Sequence, residues 1–447
     1  MSVGASSANV FANSIPTSSP VTSQGNDVPV AQGSTRWQDK DGNGKVDIEV
    51  DFGDEEGEYF SSEGLTGFRA PNEAQQRQLR FQMGLMSNDI NVTFHKKGEI
   101  DNPDAKIKIG SFQHIAEEDE DVIADVVAHT PHDPSKPVEV YFNGNEAERP
   151  TISAPDGFNE GGSTLTRVLL SAMGVNAPKP VGEGGKRDSH GYSVLSTESE
   201  TTTGQDFKGQ TVTGAQIDDK KQLEDRFGAN TSVISKTFEV DKLGDEGYGA
   251  TFAISSGVNG HETIDASADT HDQDINLKPG EFSSVKGYKG NVSITTGTVV
   301  EDVKTGSGTN RITPNAGSNT ITLGAGKNTV AYEYWWDGDP NRPDKVIGFK
   351  SGTDKIDVSA FYSREKLVDA ENPRLILDRK ENGETWLMGW TNFRDENNDR
   401  PEFSLRVDGA RSQDIITGPD IVTINGGGIP TLIERSSWFS EMPRGTF

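Results

Sequence analysis

A chain of 447 residues exceeds what one ordinary hydrophobic core organises, so two domains are expected. Its formal net charge of -27 argues against nucleic acid and anionic membranes as partners, because the electrostatic term that drives such binding would have the wrong sign; cations or basic proteins fit better. The lack of cysteine excludes a disulfide framework and thiolate chemistry, and no apolar run approaches the length of a membrane span.

Residues 1–35 are rich in Ser, Thr, Asn, Val and Pro, carry no charged side chain before Asp27 and show no sustained periodicity, so a flexible tail is expected. They lack the basic region and apolar core of a cleaved signal peptide. Asp39–Asp51, DKDGNGKVDIEVD, places Asp39, Asp41, Asn43 and Asp47 at positions 1, 3, 5 and 9 of a calcium loop, with Gly44 at the turn. Val50 stands where the bidentate acid belongs, which favours a solvated turn leading into a strand over Val46–Phe52.

Asn72–Met86 is rich in helix formers, with Leu79, Met83 and Met86 on one face and Phe81 with Leu85 on another. Strands are expected at Ile90–His95, Ala105–Ile109 and Val138–Phe142. His129 and His132 are interrupted by Pro131 and read as exposed loop residues rather than metal ligands. In Thr164–Pro178, TLTRVLLSAMGVNAP, Leu165, Val168, Leu169, Ala172 and Met173 keep helical spacing. Ser163 or Thr164 is a candidate cap, and Gly174 a stop. A last helix runs from about Gln216 to Phe227, which closes an α+β domain over 36–228.

Beyond residue 229 the composition shifts to Gly, Asn, Thr and short β-branched runs. TGSGTNRIT, PNAGSNTIT and LGAGKNTVA form a nine-residue repeat over Thr305–Ala331, aligning Asn310, Asn319 and Asn328, with Gly308, Gly317 and Gly326 in each turn. Ile312, Ile321 and Val330 follow two places after each asparagine, a period that builds a parallel β-roll.

Taken together, these stretches resemble the serralysins, metzincin proteases with a calcium-binding β-roll. GGSTLTRVLLSAMGVNAP is similar to the zinc helix H-E-x-x-H-x-x-G-x-x-H, and Tyr192–Gly204 resembles the segment carrying the Met-turn. AQIDDKKQLEDRFGAN resembles the helix that ends that domain, while Ile275–Ile294 and DKIDVSAF resemble the flanks of the roll. The resemblance implies a metzincin-like α+β domain over 36–228, then an all-β domain with parallel β-roll and β-sandwich over 229–422, with a C-terminal extension at 423–447.

The family's chemistry does not carry over. Arg167, Ser171 and Ala177 stand at the zinc histidines and Val168 at the general base; Leu195 replaces the Met-turn methionine and Thr197 the nearby tyrosine. A guanidinium is permanently protonated and a valine accepts no proton, so no zinc and no protease activity by the family mechanism are expected. Arg167 either pairs in the emptied cleft with an acid from the Glu198–Glu200 neighbourhood or snorkels to solvent. Asn310, Asn319 and Asn328 replace the calcium-ligating aspartates of the repeat, which implies reduced calcium affinity and an asparagine ladder that needs no ion. Asp344, Asp354 and Asp357 survive from later acidic positions, although Gly348 replaces another, leaving room for one weak calcium site or for plain turn chemistry.

Ser412–Val422 resembles the family's C-terminal export signal, followed here by Thr423–Phe447. The expected protein is therefore a non-catalytic pseudoprotease secreted by a bacterium through a type I or type III route, residues 1–35 being the candidate type III signal. Its expected partner is a host or bacterial protein; a decoy for serralysin inhibitors and an enzyme with a relocated site are the alternatives.

Overall fold

The computed structural model describes residues 35–62, 64–115, 126–157, 159–177, 190–196, 205–230, 235–244, 249–255, 261–362, 374–390, 400–417 and 431–436. The N-terminal stretch through residue 34, Thr197, the Glu198–Glu200 neighbourhood and most of the C-terminal extension lie outside them. The chain divides into two compact units, residues 1–234 with 242–259 and 288–296, and residues 235–241 with 260–287 and 297–447.

In the first unit the alternation of VDIEVD produces β1 (Val46–Asp51), which buries Val46, Ile48 and Val50. Helix α1 (Glu73–Asp89) starts at a capping box: Asn72 Oδ1 accepts the Gln75 amide at 2.9 Å, and Gln75 Oε1 accepts the Asn72 amide at 2.7 Å. Its Leu79, Met83 and Met86 are buried, with Phe81 and Leu85 half-buried on the other side. The strands β2 (Val92–Lys96), β3 (Ala105–Phe112), β4 (Val126–His129) and β5 (Val138–Asn143) complete a sheet of order β2-β1-β3-β5-β4, parallel except for the antiparallel edge strand β4. The strand β5 is buried on both faces. Val138, Val140 and Phe142 join the main core, and Tyr141 joins Phe60 and Phe112 in a second aromatic cluster. On that face the buried Glu139 accepts the amides of Glu58 at 2.9 Å and Tyr59 at 3.1 Å, so the carboxylate is satisfied by the loop it pins.

The second unit is a parallel roll with two walls. One five-stranded sheet contains Gln273–Asn276, Asn310–Thr313, Asn328–Ala331, Lys355–Asp357 and Ile415–Ile416. A nine-stranded sheet contains Ser235–Glu239, His261–Asp265, Val300–Lys304, Thr320–Thr322 and Asp344–Ile347, and continues through Phe403–Val407 into an antiparallel pair, Arg374–Arg379 and Thr385–Trp390. Consecutive repeats therefore alternate between walls. Asn310 faces Asn328 on one wall, and Asn319, at the same place in its repeat, precedes a strand of the other sheet. Ile275, Ile312, Val330 and Ile356 stack on the first wall and Ile264, Val303, Ile321 and Val346 on the second, all buried. Within the C-terminal extension, Thr431–Ser436 lies parallel to Arg374–Arg379 at the end of the larger sheet.

The turns of the roll stack through glycine. A Cβ on Gly326 would stand 1.7 Å from the Gly308 carbonyl oxygen, and one on Gly308 would stand 2.1 Å from that of His271. Neither obstacle is a side chain that can swing away. Gly326→Ala is expected to destabilise the second unit by about 3 kcal/mol. A lower denaturation midpoint in urea checks this, and a midpoint equal to that of the unchanged protein would contradict it.

Candidate functional site

Helix α2 (Glu160–Ala172) is the element on which the expected site would stand. It begins earlier than Ser163 or Thr164: Asn159 is the N-cap, its side-chain oxygen accepting the Gly162 amide at 3.0 Å. Gly161 and Gly162 pass as first-turn residues because side chains there would collide with the Thr151 and Asp156 carbonyls, at 2.4 and 1.8 Å. The earlier start buries Ser163 and Thr164 within the helix. At the other end Gly174, at φ 74°, closes a Schellman motif in which Val175 N donates to Leu170 O at 2.9 Å and Gly174 N to Ser171 O at 3.0 Å.

Every residue from Gly161 to Leu170 is buried, so the polar members need internal partners. Thr166 Oγ1 donates to Thr213 O, and Thr213 Oγ1 to Gly157 O at 2.7 Å. Arg167 is 6% exposed, and its Nε donates to Val194 O at 3.1 Å. The snorkelling alternative is thereby overturned, because the stem runs into the fold; the acids proposed as its partners lie outside the described residues. Val194 belongs to a turn in which Ser196 N donates to Ser193 O at 3.1 Å and Leu195 is buried in the main core. That turn is fixed by Asp219 of α3 (Ile217–Phe227), whose carboxylate accepts from Ser193 Oγ at 2.5 Å and from the amides of Val194 and Gln216, both at 2.9 Å. A chain of hydrogen bonds thus runs from α2 through the 193–196 turn to α3. The sequence reading missed Asp219, although an acid two places into a helix that starts near Gln216 is a legible capping signal.

The predicted site residues are only partly brought together. Arg167, Val168 and Ser171 share α2, with Val168 fully buried and Ser171 half-buried, and Leu195 follows the residue that Arg167 contacts. Ala177 is exposed beyond the helix end, and Thr197 lies outside the described residues. Among the described residues no group of three or more His, Cys, Asp and Glu side chains is placed to hold a metal ion. His132 is exposed, but His129 is not the loop residue expected: it ends β4, half-buried, with its ring stacked on Tyr59 at 3.6 Å. In the calcium-like loop, Asp39 accepts the amides of Gly42 and Gly44, each at 2.7 Å, while Asn43 Nδ2 donates to Asp41 at 3.0 Å and Asp47 at 3.1 Å. Those bonds make it a self-satisfied turn.

In the roll, Asn310 Nδ2 donates to Asn328 Oδ1 at 2.9 Å and Asn328 Nδ2 to Asp354 Oδ1 at 3.0 Å, whereas Asn319 Nδ2 donates to Asn315 Oδ1 at 3.0 Å. Asp344 begins a strand of the larger sheet, and Asp354 and Asp357 belong to the strand region of the smaller one. Gly348 sits at φ 81°, a conformation that favours glycine.

A mixed sheet with one antiparallel edge strand, backed by a buried helix that ends at a glycine stop and followed by a parallel β-roll, defines the metzincin class with an appended roll. The comparisons agree. The family model described as Peptidase M10 serralysin C terminal matches residues 251–416. Serralysin A of Dickeya chrysanthemi is 30% identical over 391 residues, covering 78% of this chain and 80% of that protein. Serralysin C of the same organism is 30% identical with the same coverage, and Metallopeptidase AprA of Pseudomonas marginalis is 29% identical over 73% of this chain and 76% of its own. The chain belongs to the serralysin family, as a degenerate member with no cluster of metal-holding side chains among the described residues.

Two measurements probe this centre. Arg167→Leu removes the donor to a buried carbonyl and is expected to destabilise the first unit by about 2 kcal/mol; a denaturation midpoint unchanged in urea would contradict it. Burial pushes the Asp219 carboxyl up from 3.8 to about 6, against the opposing hydrogen bonds from Ser193, Gln216 and Val194. Folding therefore takes up a proton between these values, and stability falls as pH rises through that window, by roughly 3 kcal/mol from this group. Asp219→Asn should flatten this part of the stability profile; an identical slope in the variant would count against the assignment.

Proposed function

We propose that the chain is a non-catalytic binding protein exported by a bacterium, a pseudoprotease that engages a host or bacterial protein. The observation that supports this reading is α2. Its cap, core packing and glycine stop are intact, while the position of a zinc histidine is filled by Arg167, held inside the fold on Val194 O at 3.1 Å. A buried helix kept in place with its chemistry replaced preserves the scaffold, and with it the surfaces the scaffold carries, without the reaction. The net charge of -27 favours a basic partner surface, with association that weakens as ionic strength rises.

The domain division at 36–228 and 229–422 and the export roles of residues 1–35 and 423–447 belong to this proposal. Affinity capture on the immobilised full chain, from host and bacterial extracts in parallel, tests the binding role. Retention of a discrete protein, released by raised salt, is the expected outcome. Retention of a protease inhibitor alone would turn the reading to the decoy, and retention of nothing would contradict it. Deleting residues 1–35 is expected to abolish delivery in a translocation assay; loss only on deleting 423–447 would instead place the signal at the other end.

A further inference from the structure

The family's roll implies calcium between its turns, and the donor set of this chain can be tested against that ion. Calcium takes six to eight oxygen ligands, so a site needs oxygens that are free of hydrogen-bond donors. In the smaller sheet they are committed. Asp354 Oδ1 accepts both the Asn328 amide and Asn328 Nδ2, each at 3.0 Å, and Oδ2 accepts the Lys350 amide at 2.7 Å. Asn328 Oδ1 in turn accepts Asn310 Nδ2 at 2.9 Å and Thr305 Oγ1 at 3.0 Å.

The larger sheet shows the same economy. Asp344, fully buried, accepts the Asn319 amide at 2.7 Å and Tyr332 Oη at 2.9 Å, one on each oxygen. Asn315 Oδ1 accepts the Gly317 amide at 2.7 Å and Asn319 Nδ2 at 3.0 Å. Asp357 gives one oxygen to the Ser359 amide and hydroxyl, at 3.0 and 2.6 Å. Asn310 Oδ1 is a buried ladder oxygen with no donor, and one oxygen falls far short of a coordination shell. These residues do not fit the ion.

We propose that the roll of this protein is held, in place of calcium, by a directed amide ladder, Asn310 to Asn328 to Asp354, on one wall and by the Asn319–Asn315 side-chain pair on the other, where the Asn319 backbone amide donates to Asp344. The direction is set by chemistry. An asparagine both donates and accepts, so each rung passes a hydrogen bond to the next, and an aspartate that can only accept when ionised ends the line. An ion-bound ladder of aspartates repels itself once the metal is removed, whereas an amide ladder carries no such charge. The roll should therefore fold in calcium-poor and calcium-rich media alike.

The test uses the full chain. Hydrogen exchange at Asn310–Thr313 and Asn328–Ala331, together with thermal melting, is compared in excess calcium and in excess EDTA. The same protection and the same Tm in both are expected; a lower Tm and faster exchange in EDTA would overturn the proposal. Asn328→Ala removes the central rung and is expected to lower Tm by on the order of 5 °C with or without calcium. If that variant fails to fold, Asn310→Ala, at the start of the line, is expected to speed exchange in the same two strands. Variants indistinguishable from the unchanged protein would show that the ladder carries nothing, which also overturns it.

Discussion

Because α2 is buried from Gly161 to Leu170, its polar groups depend on partners inside the fold, and those of Thr166 and Arg167 find them while Ser163 Oγ is buried with none. Leaving such a group without a partner costs more than the bond itself contributes. That constraint organises the first unit. Asn159 caps the first turn, Thr166 reaches Thr213, and Arg167 reaches the 193–196 turn that Asp219 holds from α3. The helix packs against β5 and β4 and against α1, with Leu165, Val168 and Leu169 in the main core.

The same constraint explains how a family member can lose its metal and keep its fold. Zinc ligands are polar groups satisfied by the ion, and removing the ion alone would leave them buried and unpaired. Val168 is apolar and packs, and Arg167 spans the gap to a backbone carbonyl. The roll follows the same logic with different chemistry, since amides replace carboxylates and bond to one another across a turn.

Much of this was legible in the sequence, and the limits have physical causes. The apolar spacing of Leu165, Val168 and Leu169, the Gly174 stop and the nine-residue repeat each reflect local periodicity, and each produced the expected element. The helix start was misplaced because Gly161 and Gly162 have poor helix propensity, and only the close carbonyls of Thr151 and Asp156 show why glycine is needed there. The repeat fixed a period but not the alternation of walls, which moves Asn319 to the other sheet. His129 was read from Pro131 two places on, whereas its stacking on Tyr59 depends on a contact distant in sequence. The burial of Arg167 was undecidable from helical spacing, since the stem of an arginine suits either an interior or a surface position.

The central claim is that a serralysin scaffold here has lost the capacity to bind zinc and cut peptides while its helix and core persist. The most direct measurement dialyses the full-length protein against zinc, determines the bound metal by mass spectrometry and assays peptide hydrolysis on the same sample. The account predicts no stoichiometric zinc and no cleavage above background. Zinc bound at one ion per chain, with hydrolysis abolished by a chelator, would contradict it.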